Sequence, residues 1–455
     1  MNNPALMAIS PVDGRYHDRL KNLRPLFSEF GLIRLRVQVE VRWLLMLASH
    51  AGINECPPLS QHAKNTLEKL AENFSEEDAA RVKHIESGIN HDIKAVEYFI
   101  KEHIEGNAEL AHVREFIHFG CTSDDINNLA YGLMLLTARQ QFILPELDNI
   151  LDNLKKIAHD YAAQPMLAHT HGQPATPTTL GKEIANVIAR LRRQMTQLAQ
   201  QTIPGKLNGA SGNYNALTFA CPEVDWQLLS KNFVASLGLE WNPFTTQIEP
   251  HDGMAEFFAI LTRINTILID FCRDMWGYIS FGYFRQKSIG REVGSSIMPH
   301  KINPIDFENA EGNLGIANAL LDHMIHKLPI SRWQRDLTDS TVQRNIGTAI
   351  AHSILAFQSI SRGLERTEPN TAALNADLEK HWEILAEPIQ TLMRRYSLDA
   401  PYEQLKNLTR GKHTGKNELH ALINNLPLPE DARKKLLQLT PEAYYGLAED
   451  LAKRI

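Results

Sequence analysis

The sequence predicts an all-α fold built on a bundle of long helices, and three observations predict it. Apolar residues recur at three- and four-residue steps over most of the chain. Three patterned segments run for more than twenty residues. Their apolar faces are wide, and a helix bundle is the arrangement that buries such faces. Bundle helices this long in a chain of 455 residues point to burial between subunits as well as within one.

In chain order, the first pattern sets Leu32, Leu35, Val39, Trp43 and Met46 on one stripe. The same stretch, RLRVQVEVRW, also alternates like a strand; its length and Leu-rich continuation favour a helix. A long pattern covers about 124–162, with a bend or junction at Pro145, because proline removes a backbone donor and clashes with the preceding turn. Another covers about 252–284, with Met254, Phe257, Phe258, Leu261, Ile264, Leu268, Phe271 and Met275 on one face. The last covers about 306–327. Weak boundaries fall at Gly106–Leu110 and Arg366–Asn370, and the tail reads as short helices with turn signals such as LPLPED. Three helical pieces follow: an N-terminal domain 1–110, a central long-helix domain 111–365, and a C-terminal domain 366–455. No repeat period or low-complexity tract interrupts them.

Composition narrows the function. Hydrophobic residues make up 43% and charged residues 22%, as in a soluble globular protein. The net charge of −6, spread along the chain, argues against nucleic acid as the main partner and leaves room for a local basic pocket. Cys56, Cys121, Cys221 and Cys272 form no CxxC or Cys/His zinc pattern and read as reduced thiols of a cytoplasmic protein. The opening MNNPALMAISPVDGRY lacks the basic segment and apolar run of a secretory signal. Nowhere do 18 apolar residues run together, so no membrane span is expected. No GxGxxG or GxxxxGK[ST] follows a strand-like run and no GxSxG elbow occurs. That argues against nucleotide cofactors of those types and against an α/β-hydrolase.

Polar residues gather with glycine and proline at a few places: NHDIKA (90–95), GCTSDDINN (120–128), AHTHGQPATPTTLGKE (168–183), GSSIMPHKINP (294–304) and RWQRDLTDSTVQRN (332–345). Thr122, Ser123 and Asp124 suit a helix N-cap. The same helix N-terminus, with unpaired N–H groups and a positive dipole end, also suits a bound carboxylate or phosphate. His169 and His171 would share one face of a strand or extended loop. A metal pair, a buried structural histidine and a general acid all stay open for them, although no HExxH or acidic cluster supports a metal. In GSSIMPHKINP, a turn followed by an N-cap accounts for Gly294, Pro299 and Pro304. It does not account for Ser295, Ser296, Lys301 and Asn303 together; a glycine-hinged lid over an anionic substrate does. Arg332, Arg335 and Arg344 suit plain surface charge. With Ser340 and Thr341 they also suit a phosphate, whose geometry guanidinium matches.

Together these motifs resemble those of a known superfamily. GSSIMPHKINP matches the GSSxMPxKxNP signature loop of the fumarase/aspartase superfamily. Within it, SPVDGRY, NHDIKAVEYF, FIHFGCTSDDINN, THGQPATP, MPHKINPIDFEN and RWQRDLTDSTVQRN are similar to the adenylosuccinate lyase family, in its longer bacterial type. The resemblance spans roughly residues 8–450. It implies a three-domain, all-α fumarase/aspartase-like fold whose central helices assemble four subunits, with active sites shared between chains. It implies cleavage of adenylosuccinate to AMP and of SAICAR to AICAR, each releasing fumarate, with no metal and no organic cofactor. The implied setting is purine biosynthesis in the cytoplasm, with small-molecule substrates and neither nucleic acid nor membrane as partner.

The resemblance also implies roles. Ser295 is the general base and His171 the general acid. Lys301 favours the serine alkoxide, and Glu308 orients the catalytic histidine. His91 is a second active-site histidine, a structural role remaining open for it. Thr122, Ser123, Ser296, Lys301 and Asn303 would grip the succinyl end. Arg15, Tyr16, Arg335, Ser340 and Arg344 would grip the ribose phosphate. Asn90 and Asp92, beside His91, and Gln247 and Asn309 would complete the pocket. His300 has no physical role in this reading. Two alternatives stand against it: another fumarate-releasing lyase of the superfamily, such as argininosuccinate lyase, and a non-catalytic structural protein on the same scaffold.

Overall fold

The computed structural model of the chain describes residues 4–287, 298, 301–409 and 414–455, with 407–409 in backbone only. Helices dominate, as the periodicity predicts, and the described strands form three two-stranded sheets. The chain divides into two compact units. One comprises Met1–Glu146, Gln194–Thr266 and Gly312–Ala356; the other comprises Leu147–Arg193, Ile267–Glu311 and Phe357–Ile455. No helix among the described residues is long and apolar enough to cross a membrane.

The first unit is organised around the helix Glu29–Ala48, which starts where the Ser28 hydroxyl accepts the Gly31 N–H. RLRVQVEVRW lies inside it and is helical. Its strand-like alternation has a physical cause: Val37, Val39 and Val41 point in different directions, yet all are buried, as are Arg36 and Glu40 between them. A helix surrounded by protein need not show a polar face. Trp43 fills the centre, its ring edge-on to Phe233 at 5.1 Å and its indole N–H donated to the Phe119 carbonyl. This helix packs against Asp92–Ile104 and Ser123–Ala138. The latter passes through a π turn, Arg139–Ile143, into Leu144–Asp160, which puts Pro145 at the junction its chemistry predicts. Gly106–Leu110 covers the turn between Asp92–Ile104 and Ala108–His112.

The helix patterns near 252 and 306 appear as Asp252–Ser280 and Ile305–Lys327. In the second unit, Leu167, Leu378, Ile389, Met393, Leu419 and Ile423 form a buried cluster. Phe271 and Phe307 meet edge to face at 6.2 Å. Arg366–Asn370 contains the short strand Thr367–Pro369, paired antiparallel with Phe284–Gln286. The antiparallel hairpin of Pro165–Thr170 and Gln173–Thr179 was not expected from the sequence. It turns on His171 and Gly172, with φ of 56° and 72°. Two successive left-handed residues are what a two-residue primed turn requires.

Candidate active site

NHD at 90–92 is a junction between helices. Asn90 closes Glu76–Ile89 in the left-handed conformation, with φ of 54°, which asparagine tolerates. His91 then caps Asp92–Ile104, its Nδ1 accepting the Lys94 N–H at 3.1 Å. That bond places the neutral imidazole's proton on Nε2, and the ring stays half exposed. Asp92 accepts from buried Arg36 at 2.7 Å and lies 3.6 Å from Arg344, whose other terminal nitrogen is 2.8 Å from Glu29. Burial pushes the Asp92 carboxyl up, but Arg36, the Ile93 amide and Arg344 outweigh it and hold it below its ordinary range. Arg344 borders a cleft of about 250 Å³ with Arg24, Ser28, Asp13 and Phe27.

GCTSDDINN opens the helix Ser123–Ala138, with Thr122 at the N-cap as its chemistry predicts. Asp125 supplies the capping carboxylate, accepting the N–H groups of Thr122, Asn208 and Gly209. Lys206, fully buried, pairs with it at 2.9 Å. The preceding Gly120 has φ of 68°, and a Cβ there would lie 2.1 Å from the Leu217 side chain, so any larger residue is strained and must displace that side chain. Asp124 lies 3.4 Å from Arg335. Burial raises the Asp124 carboxyl against the pull of Lys206, His251 and Arg335. Thr122 and Ser123 remain half exposed at this helix start.

The other candidates of the first unit follow. Arg15 is exposed; Tyr16 is half buried, its ring 5.8 Å from the Arg19 guanidinium. Gln247 donates to the Ala210 carbonyl at 3.2 Å. Ser340 lies in the helix Thr338–Gln343, its N–H on the Asp339 carboxylate. Arg344 caps that helix.

In the second unit, the hairpin turn presents His171 exposed, while His169 is half buried, stacked on Phe281 at 5.0 Å and 3.9 Å from Asp377. The two histidines therefore do not share a strand face: the backbone reverses at the second. Lys301 is exposed, its N–H on the Met298 carbonyl. Asn303 precedes Pro304, whose carbonyl accepts the Phe307 and Glu308 N–H groups and so starts Ile305–Lys327. Asp306 is tied to Arg362 at 3.1 Å. Glu308 accepts the Trp276 indole N–H, and Asn309 accepts from the Ser359 hydroxyl. Ser295, Ser296 and His300, with Gly294 and Pro299, lie outside the described residues.

Residue patterns alone missed the buried partners Arg36, Asp125, Lys206, Glu249, His251 and Asp339, and the exposed Glu29. Only the paired acids of SDD carried a signal. The rest acquire meaning through contacts distant in sequence.

Comparison with known proteins agrees with this arrangement of motifs. A family model described as Lyase matches residues 14–319, and one described as Adenylosuccinate lyase C-terminal matches residues 331–445. The adenylosuccinate lyase of Haemophilus influenzae is 54% identical over 455 residues, covering all of both chains. That of Escherichia coli K12 is 56% identical over 448 residues, 98% of each chain. Two solved structures share the fold. A fumarate lyase from Mesorhizobium sp. BNC1 aligns with a TM-score of 0.74 at 18% identity, covering 95% of this chain and 97% of that one. The 3-carboxy-cis,cis-muconate lactonizing enzyme of Pseudomonas putida aligns with a TM-score of 0.72 at 22% identity, covering 95% and 96%. With relatives more than half identical from end to end, the chain belongs to the adenylosuccinate lyase family of the fumarase/aspartase superfamily.

Proposed function

We propose that this chain is a C–N lyase that eliminates fumarate from adenylosuccinate, leaving AMP, and from SAICAR, leaving AICAR. The observation that carries the reading is end-to-end identity above 50% with adenylosuccinate lyases. The intact THGQPATP, GSSIMPHKINP and RWQRDLTDSTVQRN motifs accompany it.

The chemistry poses two problems. A proton must leave a carbon next to a carboxylate, and the departing nitrogen must gain one. In this reading Ser295 takes the proton and His171 supplies one to the nitrogen, each step contributing about 10²–10⁴-fold. Lys301 and Asn303 hold the carboxylate that receives the charge, with Thr122, Ser123 and Ser296 on the succinyl end. Glu308, with one oxygen on the Trp276 indole, orients the histidine. Arg15, Tyr16, Arg335, Ser340 and Arg344 take the phosphate, and Asn90, His91, Asp92, Gln247 and Asn309 close the pocket. A turn-borne acid suits this work: His171 is exposed, and its backbone is fixed by strand pairing on both sides.

The same reading includes the domain division 1–110, 111–365 and 366–455, a homotetramer with active sites shared between subunits, and a cytoplasmic setting. The exposed Trp276, Ile305 and Ile316 on the long helices support burial by other subunits.

The test is a direct assay. Purified chain should change the purine absorbance of adenylosuccinate and release fumarate, should cleave SAICAR, and should leave argininosuccinate intact. Turnover of argininosuccinate alone would favour the sister lyase. Tetramers without turnover of any of the three would favour a structural protein.

A further inference from the structure

The first unit holds a buried charged cluster distinct from the Lys206–Asp125 and His118–Glu40 pairs. His251 is completely buried. Its Nε2 lies 3.5 Å from Asp339 Oδ2, and its own N–H is bonded to Glu249 at 2.8 Å. Glu249 in turn donates its N–H to Asp124 Oδ2, and Asp124 Oδ1 faces Arg335. The chain of contacts is thus Asp339–His251–Glu249–Asp124–Arg335, closed on itself by the short run from 335 to 339.

Each contact touches a segment that the proposed function gives to substrate. Asp124 follows Thr122 and Ser123 on the same first helical turn. Glu249 lies two residues after Gln247. Asp339 precedes Ser340 and shares its helix, and Arg344 caps that helix. Through His251 and Asp124 together the cluster links all three segments.

His251 also carries two costs that packing alone does not explain. Its φ is 65°, a left-handed backbone in a residue other than glycine. Its Nδ1, buried, finds no hydrogen-bond partner among the described residues and lies 3.9 Å from Glu249. Strain and an unpaired buried polar atom persist where surrounding contacts over-determine a conformation. Burial alone would remove a proton from the imidazole. The Asp339 contact and the charges of Asp124 and Glu249 outweigh it and raise His251 above its ordinary range. The three surrounding acids therefore favour the protonated imidazole over what burial alone would allow.

We propose that His251 is a positioning residue that couples the Thr122–Ser123, Gln247 and Arg335–Arg344 segments, fixing the separation between the sites for the two ends of the substrate. This rests on the proposed lyase activity. His251 touches neither substrate nor reacting atoms, so its removal weakens substrate binding and leaves the chemical step in place, a KM effect.

Steady-state kinetics with adenylosuccinate test it in wild type, His251→Leu, His251→Asn and Asp339→Asn, each checked for folding by thermal melting. Asparagine tolerates the left-handed backbone and keeps an amide donor. His251→Leu should raise KM about 10–100-fold, the order expected for losing one buried charged contact, with kcat within about threefold. His251→Asn should recover part of that loss, and Asp339→Asn should reproduce most of it. If His251→Leu does not fold, Asp339→Asn decides alone. Folded variants with wild-type KM, or with kcat lost at unchanged KM, would overturn the inference while leaving the lyase reading intact. A wild-type chain that does not cleave adenylosuccinate would remove the reading itself, and this inference with it.

Discussion

Lys206 Nζ lies 2.9 Å from Asp125 Oδ1, and neither side chain reaches solvent. Around this pair, Asp125 collects the amides of Thr122, Asn208 and Gly209, and Asn128 exchanges bonds with the Lys206 backbone. The start of the Ser123–Ala138 helix is thereby stapled to the segment 206–209. Removing one member of a buried pair strands the other's charge, at a cost of about 3–5 kcal/mol. Lys206→Met should lower the unfolding free energy by that order, read as a lower denaturant midpoint at unchanged slope. Asp125→Asn combined with Lys206→Met should cost less than the sum of the singles. A Lys206→Met midpoint equal to wild type would contradict the assignment.

A second pair gives a pH signature. His118 Nδ1 is 2.6 Å from the fully buried Glu40, whose other oxygen accepts the His118 N–H. Burial lowers the imidazole's pKa, but the hydrogen bond and charge of Glu40 outweigh it, and the net direction is up. A group raised in the folded state stabilises it fully below the unfolded value, about 6.5. That contribution is lost as pH climbs through the higher folded value. Stability should therefore fall on going from about pH 6 to pH 9, and His118→Gln should flatten this slope. An unchanged slope in the variant would assign the pH dependence elsewhere.

Ser295→Ala and His171→Asn should each fold and assemble yet lose about 10²–10⁴-fold in kcat. Asparagine is the better probe at 171, because the turn demands φ of 56° there and asparagine accepts it. Mixed with subunit exchange, the two inactive variants should regain part of the activity if sites are shared between chains. Absence of recovery despite verified exchange would count against sharing.

Gly120→Ala is expected to act through Leu217. The added methyl meets that side chain inside van der Waals contact, and the backbone is left-handed. A loss of about 1–3 kcal/mol follows, visible as a lower thermal midpoint. Equal melting of the variant and wild type would show that the 217 side chain can move aside.

The long helices were legible because burial repeats with the helical period. Met254, Phe257, Phe258, Leu261 and Leu268 are all buried on one helix. RLRVQVEVRW was ambiguous because its helix is buried on nearly every side, which erases the period. The 165–179 hairpin escaped notice because Pro174 and Pro177 sit within its second strand, and proline ordinarily argues against one. His171–Gly172 was the available signal, a turn pair resembling Asn-Gly. The family was legible through the surface motifs. The buried supports of the candidate site were not, since Lys206 and His251 gain their roles from acids up to 127 positions away, at Asp125 and Asp124.

Arg344 sits between Glu29 and Asp92. An anion that reaches it must displace two acids already in place. Inorganic phosphate or sulfate, with nothing else to offer, competes poorly on those terms. A nucleotide anchored elsewhere along its length does not have that handicap. If Arg344 takes the substrate's phosphate, as proposed, its own neighbours Glu29 and Asp92 would set the discrimination against small anions.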